Sequence, residues 1–300
     1  MEPTEKTAGQ FEVVSLPNPA DLEREITRER EPISRLERVA VAYPSGNTTA
    51  IVFGQLPDYD PRTLNGQIMR AWKTRRPDQP EIEQCCIVTQ AQDPDAIARV
   101  QMLGDEFCGN ATRSALRLLA GGQWCTGLVE VSGVDRLLTF NIRNKEVQLE
   151  MPLPRGGELV RRVNEGWLVQ LDGITQLVTT PEPGQTPRQL LEGLLRNNAY
   201  KLAEQPAVGV SSYDEASKQA AFCVWVKAVD TMFDETACGS GTCAIGVVQA
   251  WETGRSAKLD AIQPSGEVIR TEATYGPGAV NGSFIAGGVK VLYDGKLELA

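Results

Sequence analysis

Glu106-Phe107-Cys108-Gly109-Asn110-Ala111-Thr112-Arg113 and Glu235-Thr236-Ala237-Cys238-Gly239-Ser240-Gly241-Thr242 are the two stretches on which the reading of this chain turns. Each follows a β-type run and opens a segment of helical pattern, one in each half of the chain, so the sequence carries an internal pseudo-repeat. Both motifs put a thiol at a helix start. The unpaired N–H groups and the positive end of the helix dipole stabilise an anion there, and cysteines so placed can have pKa values lowered from about 8.5 to roughly 3.5–7.5. One cysteine is therefore expected as thiolate and the other as thiol.

Around these motifs the pattern alternates between strand and helix signals. β-type runs at Val39–Tyr43, Thr48–Phe53, Glu83–Thr89 and Ile97–Met102 are interrupted by a helix that Asp60-Pro61 opens and that runs to about Trp72. A helix over Ala111–Leu119 stops at Gly121-Gly122, and three further strands end at Met151. Two prolines and two glycines in Pro152–Gly157 break either period and mark a linker. The second half repeats the plan, with strands near Leu168–Leu171, Pro206–Val210 and Phe222–Val226, a helix over Thr242–Glu252 ending at Gly254, and strands near Val268–Ala273, Phe284–Ala286 and Val289–Leu292. The expected fold is α/β (α+β) with two pseudo-symmetric domains facing one cleft, and clefts between domains are common ligand sites. Residues 1–35 stand apart as an extension: the charge run Asp21–Glu31 offers little to bury.

Composition narrows the chemistry. The chain has 300 residues, 41% of them hydrophobic, and a net charge of −9 with dispersed Lys and Arg, so no basic stripe suits nucleic acid. No apolar run approaches the roughly 20 residues of a membrane span, and a cytoplasmic protein with no membrane partner is expected. Histidine is absent, which excludes Ser-His-Asp and Cys-His catalysis and imidazole-ligated zinc. Acid–base work near neutral pH thus falls to perturbed Cys, Lys, Asp, Glu or Tyr, and cysteine needs the smallest shift. Of the seven cysteines, Cys85, Cys86 and Cys223 lie in β-type runs and are expected in the core, and a Cys238/Cys243 metal pair lacks partners.

The glycine after each cysteine lets backbone N–H groups approach a ligand, so two facing helix starts can clamp an α-carboxylate. Hydrogen bonds aimed at that carboxylate as it gains enolate-like charge lower the barrier to α-proton loss. Inverting the stereocentre then needs a base on one face and an acid on the other, and Cys108 and Cys238 fit that requirement. No cofactor, pyridoxal phosphate included, is called for, because the pair accounts for α-proton exchange without an electron sink.

From about residue 36 to 300 the chain resembles the diaminopimelate-epimerase-like, cofactor-independent racemases, through Gly46-Asn47, Glu83-Gln84, the Cys-Gly-Asn and Cys-Gly-Ser-Gly motifs, and Gln263-Pro-Ser-Gly266. Within that family it is most similar to the histidine racemases of staphylopine-type metallophore synthesis, through Tyr43-Pro-Ser-Gly-Asn47, Glu106–Thr112 and Ala237–Thr242. The resemblance implies two mirrored domains, 36–152 (joined by a last strand at about 284–300) and 153–283, each a mixed or antiparallel sheet around a central helix. It implies an amino-acid racemase or epimerase, with histidine the leading substrate and a homodimer as assembly. Carried over by position, Cys108 and Cys238 are the acid–base pair, Gly109, Asn110, Gly239 and Ser240 hold the carboxylate, Asn47 and Gln84 contact the substrate, and Glu83 reads its side chain.

The sequence also departs from the family pattern. The Glu-Arg pair and the Gly-Asn-Pro-His motif that serve the distal end of diaminopimelate are replaced by Asp230–Glu235 and Gly173-Ile-Thr-Gln176, which disfavours that substrate, since its distal charges lose their partners. Gly46-Asn-Thr-Thr-Ala50 also resembles the opening of phenazine-biosynthesis-type isomerases, against which the two cysteines argue. A thiol-redox or ligand-binding protein on the same scaffold is the non-isomerase alternative.

Overall fold

Alternation of apolar and polar side chains sets the strands. In the computed structural model, which describes residues 33–180, 182–227 and 230–299, Leu138, Phe140 and Ile142 point inward from Leu138–Arg143, and Val147 and Leu149 do so from Glu146–Glu150. Asn144 and Lys145, both at positive φ (50° and 73°), turn the chain between these strands, as a two-residue hairpin with right-handed twist requires. Four α-helices are described: α1 (Pro61–Arg75), α2 (Gly109–Leu119), α3 (Pro187–Arg196) and α4 (Gly239–Thr253). The fold is sheet-dominated α+β. The charge run and the rest of residues 1–32 lie outside the described residues.

Among the described residues the strands form two sheets. The larger runs Ala257–Ile262, Val268–Gly276, Ala279–Gly288, Glu146–Glu150, Leu138–Arg143, Cys125–Val131, Ala96–Met102, Gln84–Thr89, Thr49–Phe53, Arg35–Tyr43, Lys290–Glu298. The smaller runs Thr231–Asp234, Ala220–Val226, Ala207–Tyr213, Ile174–Thr179, Gly166–Leu171, Val160–Val163. Pairing is antiparallel except for three parallel pairs: Thr49–Phe53 with Gln84–Thr89, Ala96–Met102 with Cys125–Val131, and Ile174–Thr179 with Ala207–Tyr213.

Two helices are wrapped by these sheets. α4 is apolar almost all round, and a helix of that kind has to be buried; Cys243, Ala244, Ile245, Val247 and Val248 pack with Val169, Phe222, Leu259, Ile269 and Ile285. α2 buries Ala111, Ala115 and Leu116 against Met102, Val129, Leu138, Phe140 and Leu149. Each fully buried aliphatic side chain contributes about 1.5–3 kcal/mol, so both helix positions are strongly fixed. The strands within residues 257–288 have two kinds of neighbour: Phe284–Gly288 pairs with Glu146–Glu150, while Leu259, Ala261, Ile269 and Ile285 pack on α4. Pro152–Gly157 has no regular structure.

Differences from the sequence reading sit at element ends and in short segments. The two central helices begin at Gly109 and Gly239 instead of Ala111 and Thr242, because each cysteine itself takes the extended N-cap conformation (φ −133° and −125°). The last two strands are longer than their apolar cores, at Ala279–Gly288 and Lys290–Glu298. α3 was not expected, although Thr186 and Gln189 form a capping box around Pro187. Strands Val160–Val163, Ile174–Thr179 and Ala257–Ile262 are also additions: the first two are short runs without a clear period, whereas Ala257-Lys-Leu-Asp-Ala261 alternates apolar and polar residues and was legible as a strand.

Candidate active site

Cys108 and Cys238 have one local design. The Ala111 N–H donates to Cys108 Sγ at 3.5 Å and the Gly241 N–H to Cys238 Sγ at 3.4 Å. Four residues on, Thr112 Oγ1 donates to the Cys108 carbonyl (2.9 Å) and Thr242 Oγ1 to the Cys238 carbonyl (2.7 Å). The two helix starts meet over a single side chain: a Cβ on Gly109 or on Gly239 would lie 3.0 Å from Ile285 Cδ1. Asn110 links them directly, its Nδ2 donating 3.2 Å to the carbonyl of Ala237.

The groups on each sulfur have opposite polarity. Gln84 Nε2 donates to Thr49 Oγ1 (2.8 Å), which donates to the Asn47 carbonyl (3.0 Å), and this turns Gln84 Oε1 towards Cys108, whose Sγ donates to it at 3.0 Å. Cys108 is a thiol in this arrangement. Gln176 Nε2 donates to Ser240 Oγ (3.0 Å), which directs the Ser240 proton towards Cys238 Sγ, 3.4 Å away. Cys238 is met by donors. Behind it, the Cys238 N–H donates to Gln263 Oε1 (3.0 Å), and Gln263 Nε2 donates to Thr242 Oγ1 (3.1 Å).

The Pro44–Asn47 loop closes over this pair. Gly46 has φ +115°, and a Cβ there would sit 2.7 Å from Ala237 Cβ, so only glycine lets the loop approach. Asn47, 8% exposed, donates its backbone N–H to Thr236 Oγ1 and its Nδ2 to Glu235 Oε2, both at 2.8 Å. Its Oδ1 is buried with no partner. Glu83 Oε1 accepts from Thr236 Oγ1 (2.9 Å) and from the Thr48 N–H (3.2 Å). Thus Asn47, Glu83, Gln84, Asn110 and Ser240 lie in the hydrogen-bond networks around the two cysteines, and Gly109 and Gly239 open the helices beside them.

Burial reverses the expected thiol shift. Desolvation pushes Cys108 up to about 11 and Cys238 up to about 12; the Glu235 charge raises both, while the N–H contacts from Ala111 and Gly241 only oppose the rise. Cys238 is 5% exposed, and the loss of solvent around each sulfur outweighs the N–H hydrogen bonds at 3.4–3.5 Å. Glu235 is held up at about 7, first by burial and then by the charge of Glu83, against the hydrogen bond from Asn47. Partial burial also raises the Glu83 carboxyl.

Glu235, Thr236, Gln176 and Gln263 were not assigned to the site from sequence. Asp230–Glu235 and Gly173–Gln176, which replace the diaminopimelate-binding motifs in sequence, supply two of these contacts: Glu235 reaches Asn47, and Gln176 orients Ser240. Position three residues before Cys238 was the available signal for Glu235. All seven cysteines are free, with Cys85, Cys86, Cys223 and Cys243 buried and Cys125 partly exposed. Among the described residues no helix is long and apolar enough to cross a membrane.

Known proteins share both sequence and fold with this chain. Residues 39–297 match the family described as histidine racemase CntK N-terminal domain. The chain is 23% identical over 241 residues to the histidine racemase of Staphylococcus aureus strain Mu50, covering 76% of this chain and 85% of that protein. It is 27% identical over 223 residues to the histidine racemase of Fusobacterium nucleatum subsp. nucleatum, covering 67% and 78%. Among solved structures, a probable proline racemase from Agrobacterium radiobacter K84 shares the fold, with TM-score 0.58, 15% identity, and coverage of 88% of this chain and 93% of that one. With most of its length matched, the chain belongs to the histidine racemase CntK N-terminal domain family and is an isomerase of the amino-acid racemase kind.

Proposed function

We propose that the chain racemises free histidine by a two-base reaction between Cys108 and Cys238. The observation that carries the reading is the meeting of two cysteine-capped helix starts over Ile285, which offers one carboxylate two sets of N–H donors with a thiol beside each. The α-carboxylate sits on the N–H groups at the starts of α2 and α4. One sulfur, as thiolate, takes the α-proton; the electron pair left on carbon delocalises into the carboxylate, where those N–H groups stabilise it. The opposite thiol returns its own proton to the other face, leaving the cysteines with exchanged protonation states and the carbon inverted. In the form described here the contacts orient Cys108 as acid, through its donation to Gln84, and Cys238 as base, through Ser240 and Gly241, although Cys238 is the harder of the two to ionise, at about 12 against about 11; in the opposite direction of racemisation the roles exchange.

Histidine as substrate is supported by acceptors near the pair. Glu83, Glu235 and the unpartnered Asn47 Oδ1 present oxygens suited to imidazole N–H donors, and the two relatives are named histidine racemases. In this reading residues 36–152 with the last strand, and residues 153–283, act as the two mirrored halves that close on the substrate.

The test is α-proton exchange in D2O, followed by NMR with chiral analysis, on a panel of L-amino acids with the reduced enzyme. Exchange with inversion is expected for histidine above the other amino acids, and both Cys108→Ala and Cys238→Ala should abolish inversion. Faster exchange of another amino acid would replace the substrate. No exchange with any of them would transfer the weight to a thiol-redox or binding role.

A further inference from the structure

Arg113 is 0% exposed, one turn into α2 beyond Cys108, and no carboxylate among the described residues pairs with it. Its Nη2 donates to the Pro44 carbonyl and to Asn110 Oδ1, both at 3.0 Å, while Nε and Nη1 have no hydrogen-bond partner. The ionisable groups that act on it are the Cys108 thiol and, more weakly, Glu146. The backbone is shaped for this side chain: a Cβ on Gly287 would lie 2.6 Å from Nη1. An unpaired buried cation is costly, and a guanidinium stays charged in a protein, so its retention calls for an anion that arrives later.

We propose that Arg113 is the positioning residue and fixed counter-charge of the carboxylate clamp, making the paired helix starts select a monoanion. Two links carry it. By accepting from Arg113, Asn110 Oδ1 is committed, so Asn110 Nδ2 faces the Ala237 carbonyl and ties the start of α2 to the step before Cys238. By donating to Pro44, the same nitrogen anchors the loop that carries Asn47. The inference rests on the carboxylate-binding part of the proposed function, and its test does not require turnover.

Acetate serves as the probe. The wild-type Tm is expected to rise with acetate concentration at constant ionic strength, and Arg113→Met should lose that response while Arg113→Lys keeps part of it. In turnover, Arg113→Met should lower kcat/KM by about 100-fold, with the larger share in KM, and Arg113→Lys should recover some of the loss. Asn110→Asp gives a second route if Arg113→Met fails to fold: a carboxylate supplied from within should pair with Arg113 and abolish the acetate response, whatever Tm the loss of the Nδ2 donation to the Ala237 carbonyl costs. An acetate response unchanged in Arg113→Met or in Asn110→Asp would overturn the proposal. Acetate stabilisation lost in Arg113→Met, together with no exchange of any amino acid by the wild type, would support the counter-charge while removing the racemase reading.

Discussion

At Cys108 and Cys238 the same residue position brings two opposing effects, and burial prevails over the helix start. A raised thiol pKa means that the thiolate fraction is small at neutral pH and grows tenfold per unit of pH, so kcat/KM, which reports the free enzyme, should still be climbing at pH 9. A pH–rate profile that levels off below pH 8 would contradict this. Glu235 provides a separate, stability-based prediction. Its folded pKa, about 7, lies above the ordinary 4.5, so the folded protein binds the proton more tightly. The stabilisation is therefore fully present below about pH 4.5 and is lost as pH rises through 7. Glu235→Gln, which keeps an acceptor for Asn47, should gain about 2 kcal/mol over the wild type at pH 8.5, with the gain shrinking towards pH 5; thermal melts at the two pH values measure it.

At the level of elements, the site depends on how two helices and one loop are brought together. Ile285, on the Ala279–Gly288 strand, is fully buried and touches the space in front of both Gly109 and Gly239. Ile285→Ala should cost about 2–5 kcal/mol by leaving a cavity, and should reduce turnover beyond what the same loss of stability causes elsewhere in the core. Leu138→Ala, buried under α2 away from the helix start, is the matched control. The Pro44–Asn47 loop is tested by Gly46→Ala, where a left-handed φ coincides with a 2.7 Å contact to Ala237. A loss of about 2 kcal/mol or more is expected from denaturant melts, with an increase in KM as Asn47 moves.

Among the described residues, the first strand pairs with the last. Lys290–Glu298 pairs with Arg35–Tyr43, Leu297 and Leu299 share a core with Leu36, Leu64 and Trp72, and Arg38 bridges to Asp294 at 3.0 Å. Ending the chain at Gly288 removes one neighbour of the Arg35–Tyr43 strand and exposes that core, so the truncated protein should fail to show a cooperative melt by circular dichroism. The contacts between first and last strand are far apart in sequence, and such pairings form late because loop closure precedes any gain from them.

By itself the sequence determined the reaction class, an amino-acid racemase, and the α+β class of fold. Two Cys-Gly motifs at helix starts, no histidine and a −9 charge left few groups for acid–base work, and periodicity was enough to find α1, α2, α4 and the longer strands, because apolar spacing is a local property. Tertiary structure alone decided the thiol pKa values, since the degree of burial at a helix start depends on what packs over it. It alone also brought Glu235 to Asn47 and Gln176 to Ser240 and buried Arg113 fully, because contacts between residues so distant in sequence, or the depth at which one side chain ends up, leave no periodic trace along the chain. The two motifs announce two thiols; only the folding of both halves around Ile285 turns them into one site.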